Sequence, residues 1–347
     1  MRRKERSDLH TKMLCADETA EAASLLRNGE IVGIPTETVY GLGGDAGNAD
    51  AVRAIFAAKG RPADNPLIVH IADLADWAPL VTGIPPLAMA LAKRFWPGPL
   101  TMILPRTDKV PEITAGGLDT VGVRFPAHPV AQQIIREAGV PVAAPSGNRS
   151  GSPSPTAAAH MLADMDGRIP AIVDGGRCLC GVESTVISFD SGNTVRVLRP
   201  GFVTPEQLQT VAPNVIVDEA VLAQLSADAV VRSPGMKYKH YAPKAEVLLV
   251  QGDTRHFISY LLDKQADGVY ALVFDADMEQ CSKAGILALP YGDTDEQRAA
   301  AFFARLRELD DRGAKRIYVR APRTDGVGLA VYNRLIRAAG YHIVNAG

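Results

Sequence analysis

The sequence predicts an α/β protein of two unequal parts, and three observations predict it. Short β-branched runs alternate with amphipathic helical patterns over the first 200 residues. A stretch rich in Pro, Gly and alternating basic and aromatic residues, SPGMKYKHYAPKA at 233–245, then breaks that alternation. A second, shorter alternation follows it to residue 347. The length of 347 residues also exceeds what one hydrophobic core usually organises.

EIVGIP (30–35) reads as a buried strand. NADAVRAIFAAKG (48–60) reads as a helix, with Val52, Ile55 and Phe56 on one face and Gly60 as its stop. NPLIVHI (65–71) is a second strand, and PPLAMALAKRFW (85–96) a helix with Leu87, Leu91 and Phe95 on one stripe. Runs at 100–105, 120–126, 141–146, 171–176, 184–190 and 195–201 supply further strands, with helices at about 128–138 and 156–165. Such elements build a large sheet with parallel and antiparallel neighbours, covered by helices. After residue 245 the pattern runs strand, helix (254–264), two strands, helix (294–312), strand, helix (328–339), strand. That βαββαβαβ set is a small Rossmann-like second domain. The expected boundaries are a flexible tail at 1–13, a catalytic unit at 14–212, a linker or lid at 213–244 and the second domain at 245–347.

A composition of 47% hydrophobic and 22% charged residues is that of an ordinary globular protein. The net charge of −2 and pI near 6.4 supply no global basic field for nucleic acid. No apolar run approaches the roughly 20 residues of a membrane span, and MRRKERSDLHTKM lacks the apolar stretch of a secretory signal. A soluble, cytoplasmic protein is expected. The four cysteines, Cys15, Cys178, Cys180 and Cys281, are too few and scattered for a disulfide framework. Cys178 and Cys180 lack the second pair that a zinc site needs, so inert thiols are expected.

Several segments could carry chemistry. GLGGDA (41–46) fits G-x-G-x-x-A, yet its glycines do not follow directly on the strand, so a Gly-rich turn is expected there. No P-loop motif occurs. Lys59 ends a helix whose dipole it complements. Arg61 follows two residues later in a Gly/Pro turn that ought to be exposed, and two cations that close call for solvent or an anion. Asn65 before Pro66 suits a turn, and His70 in an apolar strand suits a satisfied core position. Ser146, Asn148, Ser150, Ser152 and Ser154 crowd the loop AAPSGNRSGSPSPT at 143–156. Ser154 reads as an N-cap with Pro155 at N1, a helix end that also suits phosphate oxygens. Arg124 lies in an apolar strand, where burial demands a carboxylate, internal or on a substrate. Ser184 follows Glu183 at a strand start and could bond the turn.

Taken in order, PTETVYGL, K-x-R-P-x-x-NPLIVHI, WPGPLT, VR-x-PAHP, APS-x-N, GVESTV, RPG and PGMKYKHYAP resemble the YrdC-type L-threonylcarbamoyladenylate synthases. The likeness is to their long form with an added C-terminal domain. It is specific over 30–201 and 234–243, and rests on architecture over 245–347. The K-x-R…S-x-N signature falls on Lys59, Arg61, Ser146 and Asn148.

The resemblance implies a YrdC-like mixed sheet around a concave site. It implies formation of threonylcarbamoyl-AMP and pyrophosphate from L-threonine, bicarbonate and ATP, for threonylcarbamoyladenosine beside the tRNA anticodon. L-Threonine would be held by Thr38, His70, Arg124, the backbone at Ala144, and Ser184. ATP would be met by Lys59, Arg61, Asn65, Thr120, Ser146, Asn148, Ser154 and Arg199, with Tyr238 reaching in from the linker. Lys59 and Arg61 would be the catalytic pair, and Mg²⁺ would ride on ATP without dedicated protein ligands. A downstream transferase would receive the product, with tRNA contact weak or indirect. The linker, with Lys237, Lys239, His240, Tyr241 and Lys244, would close over the nucleotide under the second domain's control.

Two other readings compete. Hydrogenase-maturation carbamoyltransferases contain a similar domain, but beside C-x-x-C zinc fingers and further regions not found in this sequence. An RNA-binding module would need a basic–aromatic surface that the near-neutral charge does not support.

Overall fold

The computed structural model describes residues 10–191, 193–223 and 241–347. The first unit begins with β1 (Lys12–Leu14), α1 (Thr19–Arg27), β2 (Val32–Ile34), β3 (Gly41–Asp45), α2 (Ala49–Lys59) and β4 (Ile68–His70). It continues through α3 (Pro86–Phe95), β5 (Leu100–Pro105), β6 (Thr120–Arg124), α4 (Pro129–Ala138) and β7 (Val142–Ala143). It ends with α5 (Ala158–Met165), β8 (Ala171–Val173), β9 (Thr185–Asp190), β10 (Thr194–Arg199), α6 (Pro205–Gln209) and β11 (Asn214–Val217). Eleven strands form one mixed sheet in the order β1-β8-β2-β3-β7-β4-β6-β5-β9-β10-β11.

Helix α2 forms where the sequence places its signals. Asn48 accepts from Asp50 N at 2.9 Å to start α2, and Gly60 at φ 62° ends it. Val52, Ile55 and Phe56 are buried on its inner face, so its last residue, Lys59, is delivered to the sheet. Ala22, Ala23 and Leu26 of α1, a helix absent from the sequence reading, pack with Ile134, Ile135 and Ala138 of α4.

Four expectations need correction. The proposed tail reaches too far, because β1 pairs in parallel with β8 and Thr11 Oγ1 donates to Ile169 O at 2.8 Å. Gly41–Asp45 is a central strand, not a turn. Glycine is needed there because a Cβ on Gly43 would stand 2.9 Å from Val142 Cγ1, and one on Gly44 3.1 Å from Ile55 Cδ1. Asn214–Val217, assigned to the linker, pairs in parallel with β10 and extends the first sheet. Ser154 caps no helix, since α5 starts at Ala158 behind Ala157.

The second unit holds β12 (Glu246–Gln251), α7 (Thr254–Leu262), β13 (Val269–Val273), α8 (Met278–Lys283) and β14 (Ala288–Pro290). It closes with α9 (Asp295–Asp311), β15 (Arg316–Arg320), α10 (Gly328–Ala338) and β16 (Ile343–Asn345). Its five strands are all parallel, in the order β14-β13-β15-β12-β16. The short α8 was not expected; it supplies the crossover that β13 and β14 need to run parallel.

The units share one core. Val39 and Val182 of the first join Phe303, Leu306 and Val331 of the second in a single buried cluster. Arg307 pairs with Asp164 at 2.6 Å, and Asn333 Nδ2 donates to Val221 O at 2.6 Å. At Gly181, φ 69°, a Cβ would stand 2.3 Å from Ala299 O of α9. Gly181→Ala is therefore expected to destabilise the protein by about 2 kcal/mol or more, read by urea unfolding. Stability equal to wild type would contradict this docking.

Candidate active site

A recess of about 760 Å³, counted to its open mouth, lies where the edges of β3, β4, β6, β9 and β10 meet the loops 36–39 and 144–151. Lys59, Arg61, Arg124 and Arg199 all line it, beside one carboxylate, Glu183.

Arg124 stands at the end of β6, paired in register with His70 of β4. Its Nη2 lies 2.7 Å from Glu37 Oε1, its Nη1 donates to Thr38 Oγ1 at 2.9 Å, and its Nε donates to Gly98 O at 3.3 Å. The carboxylate that the strand context demanded is thus an internal one, Glu37. Burial raises the Glu37 carboxyl, but Arg124 outweighs this and holds it below its usual range. Thr38 is fixed in turn by a 2.8 Å hydroxyl contact with Thr36. His70 sits with Nδ1 3.2 Å from Ile68 O; burial and then Arg124 push it down to about 3, so its imidazole is neutral.

On the opposite wall, Lys59 Nζ donates to Ser146 O and, at 2.6 Å, to Asn148 O. Burial, then the charge of Arg61, pulls the ammonium well below its usual range. Ser146 Oγ donates to Asn148 Oδ1 at 2.6 Å, and Asn148 Nδ2 donates to Ser152 O at 2.7 Å, so the hydroxyl loop is wired internally. Arg61 Nη2 donates to Pro66 O at 3.1 Å, while its buried Nε has no hydrogen-bond partner among the described residues. It is half-buried rather than exposed, and desolvation brings it down to about 10, leaving it charged at neutral pH.

The third wall comes from β9 and β10. Ser184 Oγ lies 2.8 Å from Thr101 Oγ1, and Arg199 donates to both Ser184 O and Ser184 Oγ at 3.1 Å. Burial brings Arg199 down to about 10 as well.

The structure brings Thr38, Lys59, Arg61, His70, Arg124, Ala144, Ser146, Asn148, Ser184 and Arg199 to this one recess. Three expected residues stand off its wall. Thr120 lines a smaller adjoining pocket of about 260 Å³, across Pro66–Ile68. Asn65 is buried behind the wall, with its Oδ1 unpartnered among the described residues. Ser154 is fully buried and donates from Oγ to Glu183 Oε1 at 2.5 Å. Tyr238 and the lid residues 237–240 lie outside the described residues.

Sequence reasoning passed over Glu37 and Glu183 as site groups and placed Tyr241 only in the closing linker. Tyr241 lines the recess at φ 66° with its ring 5.3 Å from Phe303 of α9. Its place in the PGMKYKHYAP motif was the available signal. Cys178, Cys180 and Cys281 are buried, and burial raises all three thiols. Among the described residues no cluster of metal-ligating side chains occurs, and no helix is long and apolar enough to cross a membrane.

Known proteins resemble this chain over nearly its whole length. Residues 24–201 match the Sua5/YciO/YrdC family model, described as "Telomere recombination". Residues 203–340 match the model described as "Threonylcarbamoyl-AMP synthase, C-terminal domain". The threonylcarbamoyl-AMP synthase of Pyrococcus abyssi is 45% identical over 93% of this chain and 94% of its own. The Bacillus subtilis protein of the same name is 45% identical over 94% of each. The crystal structure of P. abyssi Sua5 complexed with L-threonine superposes with a TM-score of 0.87, at 41% identity, over 97% of this chain and 99% of that one. The chain belongs to the threonylcarbamoyl-AMP synthase family, in its two-domain Sua5 form.

Proposed function

We propose that the recess performs a nucleotidyl transfer, joining L-threonine, bicarbonate and ATP into threonylcarbamoyl-AMP with release of pyrophosphate and water. The observation that carries this reading is the convergence of Lys59, Arg61, Arg124 and Arg199 on one cavity. Four such side chains, with Glu37 on Arg124 and Glu183 as the carboxylates beside them, fit substrates that bring a triphosphate and an amino-acid carboxylate.

Threonine takes the Arg124 side. Arg124 gives one N–H from Nε to Gly98 and one from Nη1 to Thr38 and pairs its charge with Glu37 through Nη2, so its remaining N–H groups are available to a substrate carboxylate. Neutral His70, the Ala144 backbone and the Ser184 hydroxyl complete that subsite; that P. abyssi Sua5 is complexed with L-threonine supports threonine as the substrate. The triphosphate takes the Lys59–Arg61–Arg199 side, where Ser146, Asn148 and Tyr241 also stand. Asn65, Thr120 and Ser154 act from behind these walls, and Tyr238 approaches from the linker.

The threonine amine attacks carbon dioxide, or bicarbonate with loss of water, to give a carbamate. A carbamate oxygen then attacks the α-phosphorus in line, and the bond to the pyrophosphate oxygen breaks. Such a transfer needs positioning and charge neutralisation more than covalent catalysis. Lys59 and Arg61 supply that neutralisation. Mg²⁺ enters with ATP as the MgATP substrate, held by phosphate oxygens, since Glu183 is already engaged by Ser154 and Arg334. The product passes to a transferase that modifies adenosine beside the tRNA anticodon, and the reaction runs in the cytoplasm.

Pyrophosphate release is expected only when ATP, Mg²⁺, L-threonine and bicarbonate are all present. Release from ATP alone would make the protein a nucleotide hydrolase and overturn the reading. Lys59→Ala and Arg61→Ala should each lower turnover about 100-fold or more, the scale of a lost transition-state donor. Near-wild-type rates for both would remove the proposed catalytic pair.

A further inference from the structure

One guanidinium of the second unit stands directly behind the wall of the first unit's cavity. Arg334, on α10, is fully buried. Its Nε lies 3.0 Å from Glu183 Oε2, and its Nη2 donates to Glu183 O at 3.2 Å. Its Nη1 donates to Pro200 O and, at 3.2 Å, to Ala330 O of its own helix. Glu183 lines the recess and also accepts from Ser154. The residues next along the chain, Ser184 after Glu183 and Arg199 before Pro200, are cavity groups that bond each other. Arg334 therefore clamps both segments that present them.

We propose that Arg334 is a positioning residue for the reaction: through Glu183 and Pro200 it sets Ser184 and Arg199, so the substrate cavity is complete only when α10 of the second unit is docked. What Ser184 and Arg199 bind rests on the synthase reading above; the clamp itself rests on geometry. A planar fork suits the role, because it reaches a carboxylate and two carbonyls at once, which an ammonium does not. Glu183 could not remain there unpaired, because a buried charge without its partner is strongly destabilised.

The clamp has a signature in pH. Burial raises the Glu183 carboxyl, but Arg334, then Arg199 and the Ser154 hydrogen bond, outweigh it and hold the group below its usual range. Lys59 and Tyr241 face the same carboxylate. Glu183 is thus ionised throughout the neutral range in the native protein. Without the Arg334 charge its pKa rises, and it takes up a proton as pH falls towards the acid side of neutrality.

The test uses the full chain, with L-threonine and ATP binding and pyrophosphate release measured from acid to neutral pH. Arg334→Met is expected to raise the threonine KM on the order of tenfold and to shift the acid limb of the rate profile towards neutral pH. Arg334→Met combined with Glu183→Gln should lose the shifted limb, and its loss should be smaller than the two single losses combined. Loss of active protein alone, with wild-type KM and wild-type pH profile, overturns the proposal. Should Arg334→Met fail to fold, Arg334→Lys decides: a raised threonine KM in the folded protein supports the clamp, and a wild-type KM overturns it. If wild type binds neither threonine nor ATP, the synthase reading falls and this inference falls with it. If wild type binds both and the variants match it, only this inference falls.

Discussion

Lys59, Arg61, Arg124 and Arg199 face one recess, and holding so much like charge out of bulk water constrains everything around it. Each cation is settled by a different device. Lys59 donates to the carbonyls of Ser146 and Asn148, which fixes the hydroxyl loop. Arg61 rests on the carbonyls of Asn65 and Pro66. Arg124 has Glu37, and Arg199 has Ser184 with Glu183 nearby. These partners hold the groups in place without neutralising all of them, and the surplus positive charge is left for anionic substrates.

The second unit belongs to the same electrostatic account. Glu183 is stabilised by Arg334, a residue 151 positions away on a different sheet-and-helix layer. Tyr241, near the end of the interdomain segment, lines the recess while resting on Phe303. The second unit thus backs the wall, through Arg334 on Glu183 and Phe303 under Tyr241. A shared core including Val39 and Val182 joins the two units on the same side as the cavity.

Much of this was legible in the sequence because it rests on local signals. The Gly60 stop and the apolar face of Val52, Ile55 and Phe56 placed Lys59 at a helix end. Arg124 in an apolar strand announced a buried carboxylate partner, though not that Glu37 would be that partner. Other features depend on long-range approach, which local pattern does not encode. Gly41–Asp45 looks like a turn until Val142 and Ile55 press against it. Ser154 carries a cap signature, yet Glu183 claims its hydroxyl. In YNRLIR, Arg334 reads as an ordinary helix-face charge, because nothing nearby in sequence reveals its carboxylate. Asn65 and Thr120, assigned by resemblance, stand behind the wall or across it, since a motif gives order along the chain and not the direction of a side chain.

The central claim is that this cavity couples a carbamate of threonine to the α-phosphorus of ATP. It is tested most directly by the mass of the nucleotide product formed from ATP, L-threonine and carbon-13-labelled bicarbonate. The account predicts an AMP adduct carrying both threonine and the labelled carbon. ADP, or AMP without the label, would contradict it.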